Sequence, residues 1–293
     1  MAGLIERRTV VGALLAATAQ QTALPAAAAG WMDRTFRSDD GAIIHYRVRG
    51  RGPGVVVVHG AFDQPDVWYP ACEPLTGRFR FLILRRRGWM SPPPDDGTRP
   101  YEREKGDIAR LLAIAGPGAA LFGHSAGGAL VADYARTHGL TSRLVMFEPV
   151  LPLGGPVAGP WLPRLRRLVA QGRRDAAFRM FLEKIVQIPE PDVLRMVGTP
   201  DWRRQAALMR NGLRELAAID ALPAEPRAYA SIEAPTRLIV AELSPDHPFH
   251  DASRALARVL PNVQVRVFKG QGHMGMASAP SAFAQLLGAC LTT

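Results

Sequence analysis

The chain has 293 residues, of which 47% are hydrophobic, and a formal net charge of +10 at pH 7. That length and hydrophobic content allow a large buried core, which argues against extensive disorder. The basic residues are nearly all arginines spread along the chain, without a basic run interleaved with aromatic residues and without a helix-turn-helix pattern. This distribution argues against a nucleic-acid-binding protein.

The first 29 residues have the layout of an export signal. Arg7 and Arg8 form a basic start, an apolar stretch follows, and the segment ends in alanines. The apolar stretch is too short for a stable membrane anchor, and the paired arginines followed by Thr9 and Val10 are similar to the twin-arginine export motif. We therefore expect cleavage near residues 27–29 and a periplasmic or secreted protein; a chain that is not processed would be cytoplasmic.

Short apolar runs alternate with helical patterns over residues 30–149. Continuous β-branched runs such as GVVVVHG (54–60) are typical of strands covered on both faces. Helices are predicted over 102–115 and 126–138. The predicted strands span 42–50, 54–60, 79–85, 119–124 and 142–149.

Residues 150–230 break this alternation, because they contain no convincing strand and are rich in proline and arginine. The pattern returns over 231–293. We therefore predict an α/β fold with a doubly wound, mostly parallel sheet built from 30–149 and 231–293, and a helical lid over 150–230. The lid helices are predicted at 162–171, 175–186, 191–197 and 202–219. The last strands are predicted at 236–242 and 263–270, and the last helices at 251–260 and 281–290.

The segment LFGHSAGG (121–128) places Ser125 between two glycines directly after a predicted strand. Glycine two residues before and two after a serine permits a sharp strand-to-helix turn. The serine oxygen would then lie at the carboxyl edge of the sheet, beside the N–H groups and positive dipole of the helix start. The pattern predicts a nucleophile; the alternative is an ordinary serine in a glycine-rich turn.

Two further segments end at the same predicted edge. His59-Gly60 ends a strand, and the N–H of Ala61 can point to the same place as that of Ala126, so that the two form an oxyanion hole. His273 follows the last predicted strand, where its imidazole could accept the serine proton. His59 itself is interpreted as a structural histidine.

Together, His59-Gly60, GHSAGG (123–128) and GQGH (270–273) resemble the alpha/beta-hydrolase superfamily, in particular its lidded esterase, lactonase and carbon–carbon hydrolase branch. The resemblance covers about residues 33–291. The functional residues that it implies are the nucleophile Ser125, the general base His273 and the oxyanion donors Ala61 and Ala126.

The acid that would orient the imidazole departs from the family pattern. Relatives carry Gly-x-x-Asp after the strand 236–242, whereas here Ser244 stands where the aspartate is expected. Asp246 lies two residues later in the same loop. Glu148 ends the strand 142–149, a position used by some haloalkane dehalogenases and the lactonases they resemble. We favour Glu148 over Asp246, because a buried strand end followed by proline is a costly place for an unpaired glutamate.

The aromatic and methionine side chains of the insertion favour an apolar pocket with room for an aromatic or medium acyl group. A helical stripe of this kind can instead form the core of the lid. The residues expected to line the pocket are Phe62, Trp68, His124, Trp161 and Phe181.

The resemblance implies a serine hydrolase that needs no cofactor or metal and cleaves a small-molecule ester or lactone through an acyl-enzyme. Carbon–carbon bond hydrolysis on the same triad and a non-catalytic ligand receptor on the same fold stay open. Sequence spacing does not decide whether Cys72 and Cys290 form a disulfide, although free thiols are the commoner case. The oligomeric state and the physiological substrate are also left open.

Overall fold

The computed structural model describes residues 30–89, 100–140 and 142–292. The predicted export signal therefore lies outside the described residues. Across the described ranges, no helix is long and apolar enough to cross a membrane.

Eight strands of the described chain form one sheet in the order β1-β2-β4-β3-β5-β6-β7-β8. β2 pairs antiparallel with both β1 and β4, and all other neighbours are parallel. The sheet confirms the predicted fold class. The strands are β1 Met32–Arg37, β2 Ile43–Gly50, β3 Gly54–Val58, β4 Arg80–Leu84, β5 Ala120–His124, β6 Leu144–Phe147, β7 Thr236–Ala241 and β8 Val263–Phe268.

The central strands are buried on both faces. Every residue of β3, β5 and β6 is buried, and alternate residues belong to two separate hydrophobic clusters. Val56 and Val58 point to one cluster, whereas Val55 and Val57 point to the other. This arrangement explains the continuous apolar runs in the sequence, since alternation is required only where one face meets water.

Helices cover both faces of the sheet. The first cluster contains residues of the helices that follow β4 and β5, and the second contains residues of the last helix. The core helices are α1 Tyr69–Cys72, α2 Pro100–Ala115, α3 Ala126–His138, α9 Asp251–Val259, α10 Gly275–Ser278 and α11 Pro280–Thr292.

The segment between β6 and β7, called the helical insertion here and spanning 150–230, packs on the first cluster. It contains no named strand. Leu208 leaves helical geometry with ψ near 4° and divides the predicted helix 202–219 in two. The helices are α4 Leu162–Ala170, α5 Arg174–Phe181, α6 Glu190–Met196, α7 Pro200–Ala207 and α8 Met209–Asp220, and a π-helical turn follows α5 at Leu182–Val186.

β1 is a strand that the hydrophobic pattern did not predict. Its sequence MDRTFR has one buried residue, Phe36, and five exposed ones. β1 forms an edge of the sheet and pairs only with β2. Its strand structure therefore depends on backbone pairing with a neighbour rather than on an apolar run.

Candidate active site

Ser125 lies on the sharp turn between β5 and α3. Its backbone has a positive φ of 55°, a strained conformation for a residue other than glycine. The turn is held from both sides: the N–H of Ser125 donates to the carbonyl of Phe147 at 3.0 Å, and its carbonyl accepts from Ala129 at 3.0 Å. Local backbone bonding thus holds the serine at the carboxyl edge of the sheet.

The two glycines around Ser125 are needed for close packing. A Cβ at Gly123 would overlap Val131 and the carbonyl of Gly127. A Cβ at Gly127 would overlap the carbonyl oxygens of Val58 and His59 at the end of β3. The helix start can therefore lie directly against the β3 turn only when both positions lack a side chain.

Strand register brings the other polar residues to the same edge. Val58 of β3 is paired with Gly123, and His124 of β5 is paired with Phe147. The residues that follow these strand ends therefore leave the sheet at the same level. Glu148 is among them.

The imidazole of His273 contacts the carboxylate of Glu148. His273 Nδ1 donates to Glu148 Oε2 at 2.6 Å. The side chain of Glu148 is 0% exposed, and its Oε1 accepts the backbone N–H of Ala241 at 2.9 Å. The hydroxyl of Ser244 donates to Glu148 Oε2 at 2.9 Å. The serine at the expected aspartate position thus bonds to the glutamate that the imidazole contacts.

The structure does not bring Asp246 to the imidazole. Its side chain is 76% exposed and bonds to Arg254 Nη1 at 2.8 Å. His250 lies between the two candidate acids: its Nδ1 is 3.7 Å from Asp246 Oδ1, and its Nε2 is 3.8 Å from Glu148 Oε1. Of the two carboxylates that the sequence left open, only that of Glu148 is within hydrogen-bond distance of His273.

Burial dominates the electrostatics of this pair. It raises the pKa of Glu148 to about 7, against the opposing effect of the bonds from Ala241 and Ser244. Burial, followed by the charge of His124, lowers the pKa of His273 well below its usual value. The imidazole is therefore neutral at neutral pH and able to accept a proton.

The β3 turn is anchored by a buried arginine. Arg86 donates its backbone N–H to His59 Nε2 at 3.3 Å and its Nη1 to the His59 carbonyl at 3.2 Å. The other ring nitrogen of His59 donates to the carbonyl of Gly60 at 2.9 Å. Burial lowers the pKa of His59 to about 4, so the ring is neutral. These contacts support the structural role expected for His59, and they position the loop that carries Ala61.

A cavity of about 120 Å³ connects these elements. Ala61, Ser125, Ala126 and His273 all lie in its wall. The helical insertion supplies most of the apolar wall. The insertion residues that line it include Phe178, Phe181, Leu182, Ile185, Leu216 and Ile219.

Three of the five predicted pocket residues, Phe62, His124 and Phe181, line this cavity. Phe62 contacts Phe181, with ring centroids 5.0 Å apart. His124 lies 4.6 Å from the His273 ring, centroid to centroid, and its Nε2 donates to the His273 carbonyl at 3.2 Å. The wall near the imidazole is completed by Phe249, whose ring stacks on His273 at 3.9 Å.

The predictions for Trp68 and Trp161 are wrong, since neither residue lines the cavity. Trp68 ends the short 3-10 helix Pro65–Trp68 and is fully buried, with its ring 5.1 Å from Phe122 and 5.3 Å from His124. It thus packs in the core behind His124. Trp161 is partly buried, and its ring lies under the ammonium of Lys184 at 5.9 Å. Each tryptophan is the last residue of a short 3-10 helix, Pro65–Trp68 and Gly159–Trp161.

Two polar contributions to this region were not found from the sequence. Ser244 had a signal, because it stands at the expected aspartate position. No feature of the sequence pointed to Glu215, although it lies in the cavity wall.

Within the described ranges, no group of three His, Cys, Asp or Glu side chains is arranged to hold a metal ion. Cys72 and Cys290 are both buried and free.

The sequence profile of the alpha/beta hydrolase family matches residues 55–286. The chain belongs to this family. A crystal structure of an alpha/beta hydrolase from Sphaerobacter thermophilus is 31% identical and superposes with a TM-score of 0.73, covering 88% of this chain and 100% of that one. The family and this likeness identify the protein as a hydrolase.

More distant relatives share the fold of this alpha/beta hydrolase. An esterase from Rhodococcus sp. is 20% identical with a TM-score of 0.69, and the match covers 89% of this chain and 98% of that one. An uncharacterized protein of Mycobacterium tuberculosis is 22% identical over an alignment of 287 positions, and the match covers 86% of this chain and 79% of that protein. Identities at this level show the fold alone.

Proposed function

We propose that this hydrolase cleaves a carboxylic ester or lactone through an acyl-enzyme. The single observation that carries the proposal is the 2.6 Å bond between His273 and Glu148 at the wall of the cavity that also contains Ser125. A neutral imidazole held by a carboxylate, with a serine in the same cavity, is the arrangement used for serine nucleophilic catalysis.

In the proposed first step, the hydroxyl oxygen of Ser125 attacks the substrate carbonyl while His273 accepts the hydroxyl proton. The N–H groups of Ala61 and Ala126 donate to the oxyanion. Glu148 stabilises the imidazolium that forms. The imidazolium then protonates the leaving alkoxide, and the acyl group stays on Ser125.

In the second step, His273 takes a proton from a water molecule that attacks the acyl carbonyl. The tetrahedral intermediate collapses, the imidazolium returns its proton to Ser125, and the carboxylic acid leaves. Every proton transfer uses His273, so the proposed cycle needs no cofactor or metal ion.

We also propose that the helical insertion acts as a lid. Its apolar side chains would exclude water from the acyl-enzyme and select the acyl group by shape. A cavity of about 120 Å³ is slightly smaller than the roughly 150 Å³ cavity known to hold benzene. The acyl group would therefore be small, about the size of one aromatic ring.

A fluorophosphonate probe tests the nucleophile. We expect the wild type to be labelled and Ser125→Ala to be unlabelled, because the probe reacts only with an activated serine. Ser278→Ala is the matched control: this serine lies outside the cavity, and its loss should leave labelling unchanged. Equal labelling of the Ser125→Ala protein would contradict the proposal.

The two remaining hypotheses give different results in companion assays. A non-catalytic receptor would turn over no p-nitrophenyl ester despite binding small ligands. A carbon–carbon hydrolase would be labelled but would cleave β-diketone substrates faster than esters. Turnover of esters or lactones that is lost in Ser125→Ala supports the proposal over both.

Residues 1–29 are proposed to direct export and to be removed. Sequencing the amino terminus of the native protein tests this proposal. A native protein that begins at Met1 in the cytoplasm would contradict it.

A further inference from the structure

Glu215 is a carboxylate in the wall of the cavity, and the proposed reaction does not use it. It lies on α8 of the helical insertion and is 4% exposed. An ionised carboxylate at such a depth is costly unless its oxygens are hydrogen-bonded. Where each oxygen bonds therefore decides what Glu215 can do.

The two oxygens of Glu215 have different surroundings. Oε1 accepts from Arg86 Nη2 at 2.5 Å and lies 3.2 Å from the hydroxyl of Tyr101. Oε2 is shielded from bulk water and has no hydrogen-bond partner among the described residues. A buried acceptor without a donor costs about 1–3 kcal/mol. A ligand that supplied the missing donor would recover that free energy.

Glu215 differs from Asp63, the other acid in the cavity wall. Asp63 Oδ2 also has no hydrogen-bond partner among the described residues, but a ring nitrogen, His124 Nδ1, lies 3.5 Å from it. Both acids in the wall thus have an oxygen without a hydrogen-bond partner, and Glu215 is the one that lies on the helical insertion.

The charge of the surrounding network favours a neutral donor. The Nε–H of Arg86 also donates to Glu104 at 2.8 Å. One guanidinium therefore forms hydrogen bonds with two buried carboxylates. Burial raises the pKa of Glu104 to about 7, and burial keeps the phenol of Tyr101 protonated by raising its pKa well above the usual value. When the pH lies below the pKa of Glu104, Arg86 balances the charge of Glu215 alone, and the site then has no net charge to attract a cation.

We propose that Glu215 is a substrate-binding residue whose Oε2 accepts a hydrogen bond from a hydroxyl group on the acyl part of the substrate. This inference rests on the proposed hydrolase function and narrows its substrate to hydroxylated esters or lactones with a small acyl group. The apolar remainder of the wall packs against the carbon skeleton, and the hydroxyl points towards α8.

The test uses isosteric pairs of p-nitrophenyl esters that differ by hydroxyl against methyl: 2-hydroxypropanoate with 2-methylpropanoate, 3-hydroxybutanoate with 3-methylbutanoate, and 4-hydroxybenzoate with 4-methylbenzoate. The three pairs place the hydroxyl at increasing distance from the carbonyl. For at least one pair, we expect kcat/KM of the wild type to favour the hydroxyl ester by about tenfold or more, as for a hydrogen bond to a charged group.

Glu215→Gln keeps the oxygen that bonds to Arg86 and replaces the free acceptor by an amide N–H₂. We expect it to lower the hydroxyl-to-methyl ratio of that pair at least about fivefold. Glu104→Gln is the matched control, because it alters the same buried network without a residue in the cavity wall. Its ratio should stay within about twofold of the wild type.

Three outcomes would overturn the inference. The first is a wild-type ratio near one for every pair, as expected if Oε2 only holds a water molecule. The second is an equal drop in Glu104→Gln, which would assign the effect to network integrity. The third is faster hydrolysis of the 3-ammoniobutanoate ester than of the 3-hydroxybutanoate ester, which would assign the site to a cation. Failure of the proposed function itself is distinguishable, since the methyl esters would then also not be hydrolysed.

Discussion

The carboxyl edge of the sheet and the helical insertion meet at one cavity, but they are built differently. The edge collects Ser125 and Glu148 from turns that follow the buried strands β5 and β6, and His273 from the loop after the largely exposed edge strand β8. Strand register brings these segments to the same edge. The insertion contributes side chains from separate helices that pack on the sheet. We infer that the edge determines the reaction, whereas the insertion determines which substrate is accepted.

One buried network joins the two regions. Arg86 follows β4 and contacts His59 on the β3 turn, Glu104 on α2 and Glu215 on the insertion. Removing one partner of a buried ion pair typically costs about 3–5 kcal/mol, because the other charge is left unpaired. Arg86 thus connects the insertion, through its ion pair with Glu215, to the loop that carries the proposed oxyanion donor.

The largest expected effect separates the two candidate acids. We expect Glu148→Gln to lower kcat on a p-nitrophenyl ester by about 10³- to 10⁴-fold, because the imidazole loses the carboxylate that orients it. Asp246→Asn should stay within about twofold of the wild type, since its salt bridge is exposed.

Steady-state kinetics of both variants check this prediction, with circular dichroism to show that each is folded. A loss of kcat in Asp246→Asn alone would assign the acid to the loop after β7. A surface loop rather than a buried strand end would then control the chemistry.

A smaller effect concerns pH. The pKa of Glu148 is raised to about 7, so its carboxylate becomes protonated as the pH falls through about 7, and kcat/KM should fall with it. Protonation of His273 adds to the loss only at lower pH, because its pKa is lowered. The Ser244 bond favours the charged form of Glu148. Ser244→Ala should therefore raise that pKa and shift the acid limb to higher pH.

The pH–rate profile of Ser244→Ala checks this shift. Activity near pH 7 should be a few-fold lower than in the wild type, by about the strength of one hydrogen bond, and the two proteins should converge in mildly alkaline buffer. Ser278→Ala is the control. A parallel drop at all pH values, with an unmoved acid limb, would show that Ser244 does not act through the charge of Glu148.

The third expected effect is a change of substrate preference rather than of rate. Phe181→Ala enlarges the cavity, so the ratio of kcat/KM for p-nitrophenyl octanoate to that for the acetate should rise about fivefold or more. Trp161→Ala should leave the ratio within about twofold, because this tryptophan does not line the cavity. The ratio is independent of the folded fraction. An unchanged ratio in Phe181→Ala would contradict the role of the insertion in selection.

Patterns local in the chain predicted most of the fold. Continuous apolar runs predicted the central strands because both faces of the sheet are covered. The spacing of glycines predicted the turn at Ser125, since only the absence of side chains allows β5 and α3 to meet β3 so closely. β1 was missed, because an edge strand with one buried residue has no apolar run.

The amino-acid pattern predicted the central strands, the helical insertion and the turns that carry Ser125 and His273, because these follow from periodicity and glycine placement within a few residues. The choice between the two carboxylates required the folded chain, since the contact with the imidazole depends on the register of β6 against β7 and on the bond from Ser244. Tertiary structure also decided the pocket wall. The side chain of Glu215 is buried by Arg86, 129 residues away in the chain, and no local pattern carries information over that separation.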